Sequence, residues 1–208
     1  MPRGLFITFE GGEGVGKTTQ IMQLEASLKE KEFDVIITRE PGGCPAAEEI
    51  RGLLRHHEHG GRWTAKAELM LLFAARAMHI HDVIAPALVQ STTVLCDRYI
   101  DSTRVYQGDT QGVDADFIAS LEKQIVGDVV PDITFVLDLP ADIAMARVQE
   151  RGALDHYDRG SLEFYEGLRQ GFLNIVKDNP ARCVRVDASQ DKEIIAATIL
   201  KAVEEKLK

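Results

Sequence analysis

The sequence is poor in cysteine. Three thiols, Cys44, Cys96 and Cys183, are spread over 208 residues. An odd and widely spaced set makes no disulfide framework and suits a reducing compartment. Aromatic residues are also scarce, at 6%, with a single Trp. Positive charge is in deficit: 24 Lys and Arg face 33 Asp and Glu, a formal net charge of −9. That balance argues against broad nucleic-acid binding, which runs on clustered cations along phosphates. It leaves room for a local cationic pocket. No apolar run reaches the ~18–20 residues of a membrane helix. Met1-Pro2-Arg3-Gly4 leads straight into a strand-like segment, without the pattern of a signal peptide. These absences point to a cytoplasmic protein with neither nucleic acid nor membrane as a partner. What remains, 45% hydrophobic and 27% charged, is an ordinary globular mixture. A chain of this length can bury a core of its own.

Five short apolar segments read as strands: Leu5–Phe9, Val35–Thr38, Thr93–Cys96, Ile133–Leu137 and Cys183–Val186. Between them the apolar spacing turns helical. Lys17–Lys31 carries Ile21, Leu24 and Leu28 on one stripe, and Pro45 suits the first turn of a helix bearing Ile50, Leu53 and Leu54. Thr64–Gln90 is a long helical pattern in which Pro86 predicts a kink or break. Further helices are expected over Phe117–Val126, Asp142–Glu150, Leu162–Val176 and Asp191–Lys206, with a polar loop over Gly152–Gly160. Alternation of this kind predicts an α/β fold: a five-stranded parallel sheet with helices on both faces. The organisation reads as one domain over 1–208. Ligands in such sheets bind at the carboxyl ends of the strands.

After the first strand comes Gly11-Gly12-Glu13-Gly14-Val15-Gly16-Lys17-Thr18-Thr19. It matches the phosphate-loop pattern in the required strand–loop–helix setting, and so predicts a P-loop nucleotide-binding protein. Glycines let the backbone turn several N–H groups toward one anion, and the helix N-terminus adds partial positive charge. Lys17 would reach the terminal phosphates of ATP, and the Thr18 hydroxyl would ligate Mg²⁺.

The third strand ends in Asp97-Arg98-Tyr99, followed by Ser102, Thr103, Tyr106, Gln107 and Gly108. A carboxylate at a neighbouring strand end suits a Mg²⁺ ligand, here Asp97. Arg98 beside it could clamp a second phosphate group bidentately. If Ile100–Tyr106 is helical, Ser102 and Tyr106 share a face.

In order and spacing, Arg39-Glu40-Pro41-Gly42-Gly43, Asp97-Arg98-Tyr99-x-x-Ser102 and Tyr106-Gln107-Gly108 are similar to the signature segments of bacterial thymidylate kinases. The resemblance runs from about Leu5 to the last helix. It implies transfer of the γ-phosphoryl of MgATP to dTMP, giving dTDP and ADP, by a homodimeric enzyme. It makes Lys17, Arg98, Glu13 and a lid arginine the catalytic set. Arg98 and Arg51 would bind the acceptor phosphate, Glu13 the deoxyribose 3′-hydroxyl, and Glu10 would stand near the metal and phosphates. Ser102, Thr103, Tyr106 and Gln107 would line the thymine and sugar, with Tyr106 crowding the 2′ position. Arg76 would bond a thymine carbonyl. Family members often place a stacking Phe four residues before that Arg; here position 72 is Leu and the Phe is at 73. Either the ring comes from Phe73 or Leu72 packs on the base.

The resemblance also implies a short mobile lid over about 147–160, with Arg151 as the catalytic arginine and Arg147 as a second contact to ATP. The usual lid pattern carries an Arg where this chain has His156, and Arg159 could compensate. Asp187-Ala188-Ser189 resembles the loop that packs around adenine. A kinase for another nucleoside monophosphate, or a nucleotide-driven switch, would share the phosphate loop but lack either this base-reading helix or the Arg98 cluster. His56-His57-Glu58-His59 has metal-ligand residue types but no helical spacing, and reads as an exposed loop. Cys44 and Cys96 lack a base partner and read as packing.

Overall fold

The computed structural model describes residues 3–55, 63–151 and 160–207, the side chain of Arg151 excepted. In chain order the elements are β1 (Phe6–Glu10), α1 (Lys17–Glu30), β2 (Val35–Arg39), α2 (Pro45–Arg55), α3 (Ala65–His79) and a π-helical turn (Ile80–Ile84). They continue with α4 (Ala85–Val89), β3 (Thr93–Asp97), α5 (Ile100–Thr103), a second π-helical segment (Arg104–Thr110) and α6 (Ala115–Ile125). The chain closes with β4 (Ile133–Asp138), α7 (Ala141–Arg151), α8 (Leu162–Asp178), β5 (Cys183–Asp187) and α9 (Lys192–Lys206).

All five strands are parallel, in the order β2-β3-β1-β4-β5. Central strands β1 and β4 are buried along their whole length. Their mostly apolar character, with Thr8 and Thr134 hydrogen-bonded to each other, is what a parallel sheet covered on both faces requires. On one face Ile7, Phe9, Leu95 and Phe135 pack against Ile21, Leu24 and Leu28 of α1 and against Ile195, Ile199 and Val203 of α9. On the other, Phe6, Val94 and Cys96 meet Leu69 and Phe73 of α3, Ile84, Leu88 and Ile118. Leu168 and Phe172 of α8 cover Val136.

The register positions the site. Arg39 pairs with Asp97, and Asp97 with Phe9. The next residues in line, Glu40 and Arg98, therefore leave the sheet together beside Glu10, the last residue of β1. β1 leads to β2 at one margin of the sheet, while β3 leads to β4 on the far side of β1. The diverging connections open a crevice at these carboxyl ends, where ligands bind in sheets of this kind.

Two helices differ from the sequence pattern. The long run over 65–89 does not break at Pro86; it widens just before it, where the Ala85 N–H bonds the Ile80 carbonyl five residues back. Pro86 has no N–H for the carbonyl four residues earlier and its ring crowds that carbonyl, and a widened turn accommodates both. The helix after Ile100 likewise passes into a π-helical segment at Arg104. By length and composition the 25-residue helical run Ala65–Val89 could cross a membrane, with a mean hydropathy of 1.3 over its most apolar 18 residues. Leu69, Phe73, Ile84 and Leu88 are buried against the sheet, so one face of the run packs on the core while Met70, Met78 and Val89 are exposed.

Candidate active site

The phosphate loop joins β1 to α1 in a tightly seated turn. Gly14 has φ +74°, and a Cβ there would stand 2.5 Å from the Ala144 carbonyl oxygen. Only glycine takes both that conformation and that approach. Val15 packs into the core beneath the loop. Gly11, Gly12 and Val15 also border a void of about 20 Å³, and the Gly11 and Gly12 carbonyls accept from Lys17. Glu13, Gly14, Gly16, Lys17, Thr18 and Thr19 face forward into a cavity of about 640 Å³.

Lys17 is buried, and its Nζ donates to the carbonyls of Gly12 (2.7 Å) and Gly11 (3.1 Å). Burial, helped by the nearby Arg98, pushes its pKa down to about 8. Thr18 Oγ1 donates to Asp97 Oδ2 across 3.2 Å. A hydroxyl and a carboxylate oxygen thus meet beside the phosphate loop. Mg²⁺ takes few protein oxygens and completes its shell with water and substrate phosphates, so this pair fits it. Among the described residues no group of three or more His, Cys, Asp or Glu is placed to hold a metal.

Arg98 leaves β3 in the left-handed region, φ +68°. For a non-glycine residue this costs roughly 1–2 kcal/mol, and such strain collects at functional sites. The turn sends its guanidinium into the cavity. There Nη2 donates to Glu13 Oε1 (2.7 Å), and Nη1 to Gly11 O (2.9 Å) and Ser102 Oγ (3.1 Å). The Tyr106 hydroxyl donates to the same Glu13 carboxylate at 2.6 and 2.7 Å, and its ring centre lies 5.2 Å from the Arg98 guanidinium. Burial works against the Arg98 charge, yet Tyr106, Glu13, Asp97 and Glu10 outweigh it and raise the pKa. Burial likewise pushes the Tyr106 phenol well up.

Glu10 requires a correction. Expected near the phosphates, it is fully buried and is absent from the cavity wall. Its carboxylate accepts from Tyr99 N (2.8 Å) and Ser102 Oγ (2.6 Å), holding the start of α5 against the sheet. It shares a face of β1 with Phe6 and Thr8, which turns it inward. Burial and the neighbouring Asp101 push its pKa up to about 7.

At the far end of the cavity stands Arg76, 2% exposed. Its Nε donates to Glu40 Oε2 (2.7 Å) and its Nη2 to Thr103 Oγ1 (3.0 Å), while Nη1 has no hydrogen-bond partner. The guanidinium lies 5.0 Å from the Phe73 ring centre and 5.2 Å from that of Tyr99. Phe73 is the second correction: its ring belongs to the core beneath Arg76, and Leu72 is the residue that lines the cavity. One residue advances a helix by about 100°, enough to exchange core for cavity. Gln107 also lines the wall, donating to Glu68 Oε1 at 2.7 Å.

Arg51 lines the cavity and donates to Pro41 O at 2.7 Å, and Arg147 reaches the wall from α7. Asp187 does not line it; its carboxylate accepts from Ser189 and Gln190 in its own turn. The Arg151 side chain and the readings made on Gly152–Arg159 and His56–His59 lie outside the described residues. Cys44 and Cys96 are buried in hydrophobic clusters, and burial pushes the Cys96 thiol well up. Glu40, which the sequence pattern leaves without a role, holds Arg76 in the cavity wall. Its position immediately after β2, at a strand's carboxyl end, was the available signal.

The sequence profile of the thymidylate kinase family matches residues 9–199. The chain is 45% identical to a thymidylate kinase of Caulobacter vibrioides over 207 residues, covering 100% of this chain and 99% of that one. It is 45% identical to a thymidylate kinase of Magnetococcus marinus, covering 97% of this chain and 96% of the other. The crystal structure of a thymidylate kinase from Ehrlichia chaffeensis superposes with a TM-score of 0.79 at 35% identity, covering 97% of this chain and all of that one. With a phosphate loop and a second arginine cluster in one cavity, and this likeness along its length, the chain belongs to the thymidylate kinase family and phosphorylates dTMP to dTDP with ATP as donor.

Proposed function

We propose that the γ-phosphoryl group passes in line from ATP, seated on the phosphate loop, to the phosphate of dTMP held by Arg98. The observation that carries this reading is one cavity lined by Lys17, Thr18, Glu13, Arg98 and Arg76, with the buried Nη1 of Arg76 unpaired within the protein. In-line transfer calls for positioning and charge neutralisation and little else from the protein. Lys17 leaves the Gly11 and Gly12 carbonyls to meet the transferring phosphate oxygens, and Arg98 exchanges Glu13 for the acceptor phosphate. Arg51 assists at that phosphate. The Glu13 carboxylate, oriented by the Tyr106 hydroxyl, receives the 3′-hydroxyl of the sugar. Ser102, Thr103, Gln107 and Leu72 enclose the nucleoside, and Arg76 Nη1 donates to a thymine carbonyl. No general base is required, because the acceptor phosphate is ionised at neutral pH.

Thr18 and Asp97 would hold Mg²⁺, which when bound neutralises charge on the donor phosphates. The chain acts as one kinase domain, with residues 147–160 as a lid that carries Arg147 and the catalytic Arg151. It works as a cytoplasmic homodimer with dTMP and ATP as partners, without nucleic acid or membrane. The resemblance to the family and the acidic composition support these points.

The test is ADP release with MgATP and a panel of dTMP, dUMP, dGMP, dAMP, dCMP and thymidine, with a blank lacking acceptor. A clear preference for dTMP is expected. ADP release that ignores the acceptor would replace this reading with a nucleotide-hydrolysing one.

A further inference from the structure

A buried polar chain stands behind Arg76, and no substrate contact accounts for it. His79 is wholly buried one turn further along α3. Its Nδ1 lies 3.0 Å from Glu40 Oε1, and its Nε2 lies 2.6 Å from Thr38 Oγ1. A carboxylate oxygen only accepts, so Nδ1–H donates to Glu40, and Nε2 pairs with the Thr38 hydroxyl. The other oxygen of Glu40 holds Arg76 Nε at 2.7 Å. The chain therefore runs Thr38 to His79 to Glu40 to Arg76, with every link inside the protein.

We propose that His79 is a positioning residue for base recognition: through Glu40 it fixes the plane of the Arg76 guanidinium, and thereby aims Nη1 at the pyrimidine. This inference rests on the reading of the cavity as a dTMP site. A carboxylate held only by Arg76 could pivot about its own side chain and carry the guanidinium with it. Anchoring its second oxygen on an imidazole removes that freedom. Thr103 fixes Nη2, and the Phe73 and Tyr99 rings lie against the guanidinium, so the unpaired Nη1 is left with one direction. The surroundings of the imidazole are equally confined. Gly43 has φ +89°, and a Cβ there would stand 2.5 Å from both His79 Nε2 and Thr38 Oγ1. The backbone thus closes over the hydrogen bond that anchors the chain. Recognition by a preoriented donor gains affinity because no freedom is lost on binding.

The experiment compares steady-state constants for the full chain and for His79→Leu, His79→Asn, His79→Gln and Thr38→Val, with thermal unfolding of each. Asn can present its amide N–H where Nδ1 stood; Gln reaches instead toward Thr38. For His79→Leu, loss of a link to a charged group predicts a rise of about tenfold in the KM for dTMP. The KM for ATP should stay within about twofold, and kcat should fall less than the dTMP KM rises. His79→Asn should recover most of the loss, His79→Gln little, and Thr38→Val should raise the dTMP KM by a smaller factor, about threefold. In an Arg76→Ala background, His79→Leu should add almost nothing to the dTMP KM, since the two act as one unit. A dTMP KM unchanged in a folded His79→Leu or Thr38→Val protein would overturn the proposal. So would equal changes in both KM values, or an undiminished effect without Arg76, because each marks a general structural role. If His79→Leu fails to fold, the Asn, Gln and Thr38→Val proteins decide by the same ranking. Should the parent chain itself not use dTMP, the underlying reading of the cavity fails first, and that outcome is visible before any variant is made.

Discussion

Two buried ionisable side chains at the end of β1 show how one strand terminus can serve two purposes. Lys17 is held by backbone carbonyls with its pKa lowered to about 8, poised to exchange them for phosphate oxygens. Lys17→Ala should lower kcat by about 10²–10³-fold or more, as loss of a preorganised cationic donor does. The far-ultraviolet circular dichroism spectrum should be unchanged; near-parental turnover in that folded protein would move the phosphate contact elsewhere. Glu10 is different, since it supports α5 and never reaches the cavity. Its pKa rises from 4.5 to about 7, chiefly through burial and then through Asp101. Below about pH 4.5 the group is protonated folded or unfolded. Between 4.5 and 7 the fold retains a proton that the unfolded chain releases, so this contribution to stability is lost as pH rises through 7. Glu10→Gln keeps an acceptor for Tyr99 and removes the titration. The urea midpoint of the parent should therefore fall relative to that of the variant between pH 5 and pH 8; parallel curves would show that Glu10 is ionised in the fold.

At the scale of elements, α3 divides two adjacent residues between core and site. Phe73 is 2% exposed and lies under Arg76, while Leu72 lines the cavity. Phe73→Ala should destabilise the protein by about 3–5 kcal/mol, the usual cost of removing a buried ring. Leu72→Ala should leave the denaturation midpoint close to the parent and raise the dTMP KM several-fold, a few methyl groups' worth of contact. A reversed pattern, with stability lost at 72 and affinity at 73, would exchange the two roles. Helical periodicity already placed both positions on roughly the Arg76 side of the helix. The choice between them depends on how α3 rotates against β1 and β3, which periodicity does not specify.

For the whole molecule, the decisive step is the convergence of four distant segments on one sheet edge. The phosphate loop, the Glu40 segment, the Arg98 cluster and α3 are separated along the chain; strand register brings the first three together, and the packing of α3 on the sheet adds Arg76. α7 adds Arg147 to the same wall and ends at Arg151. Arg151→Ala should cut kcat by about 10³-fold with the dTMP KM little changed, in line with cationic residues that meet the transferring phosphate. A loss below about tenfold would assign the role to Arg147 or Arg159.

The sequence by itself determined the strand and helix order, the parallel sheet, the phosphate loop and the family. These follow from local periodicity, glycine spacing and short motifs, each carried by neighbouring residues. It also named most of the cavity wall: residues after β1 and β3 follow strand ends, whereas Arg51, Leu72, Arg76 and Arg147, inside helices, came through the resemblance to the family. The tertiary structure decided which way individual side chains face. It turned Glu10 inward, seated Phe73 beneath Arg76, closed Asp187 on its own turn, and brought Glu40 and His79 behind the base-reading arginine. Apart from the local turn at Asp187, those outcomes depend on contacts between residues distant in the chain, such as His79 with Thr38 across 41 positions. Neither helical periodicity nor a motif encodes such a pairing; only the packing of α3 on the sheet does.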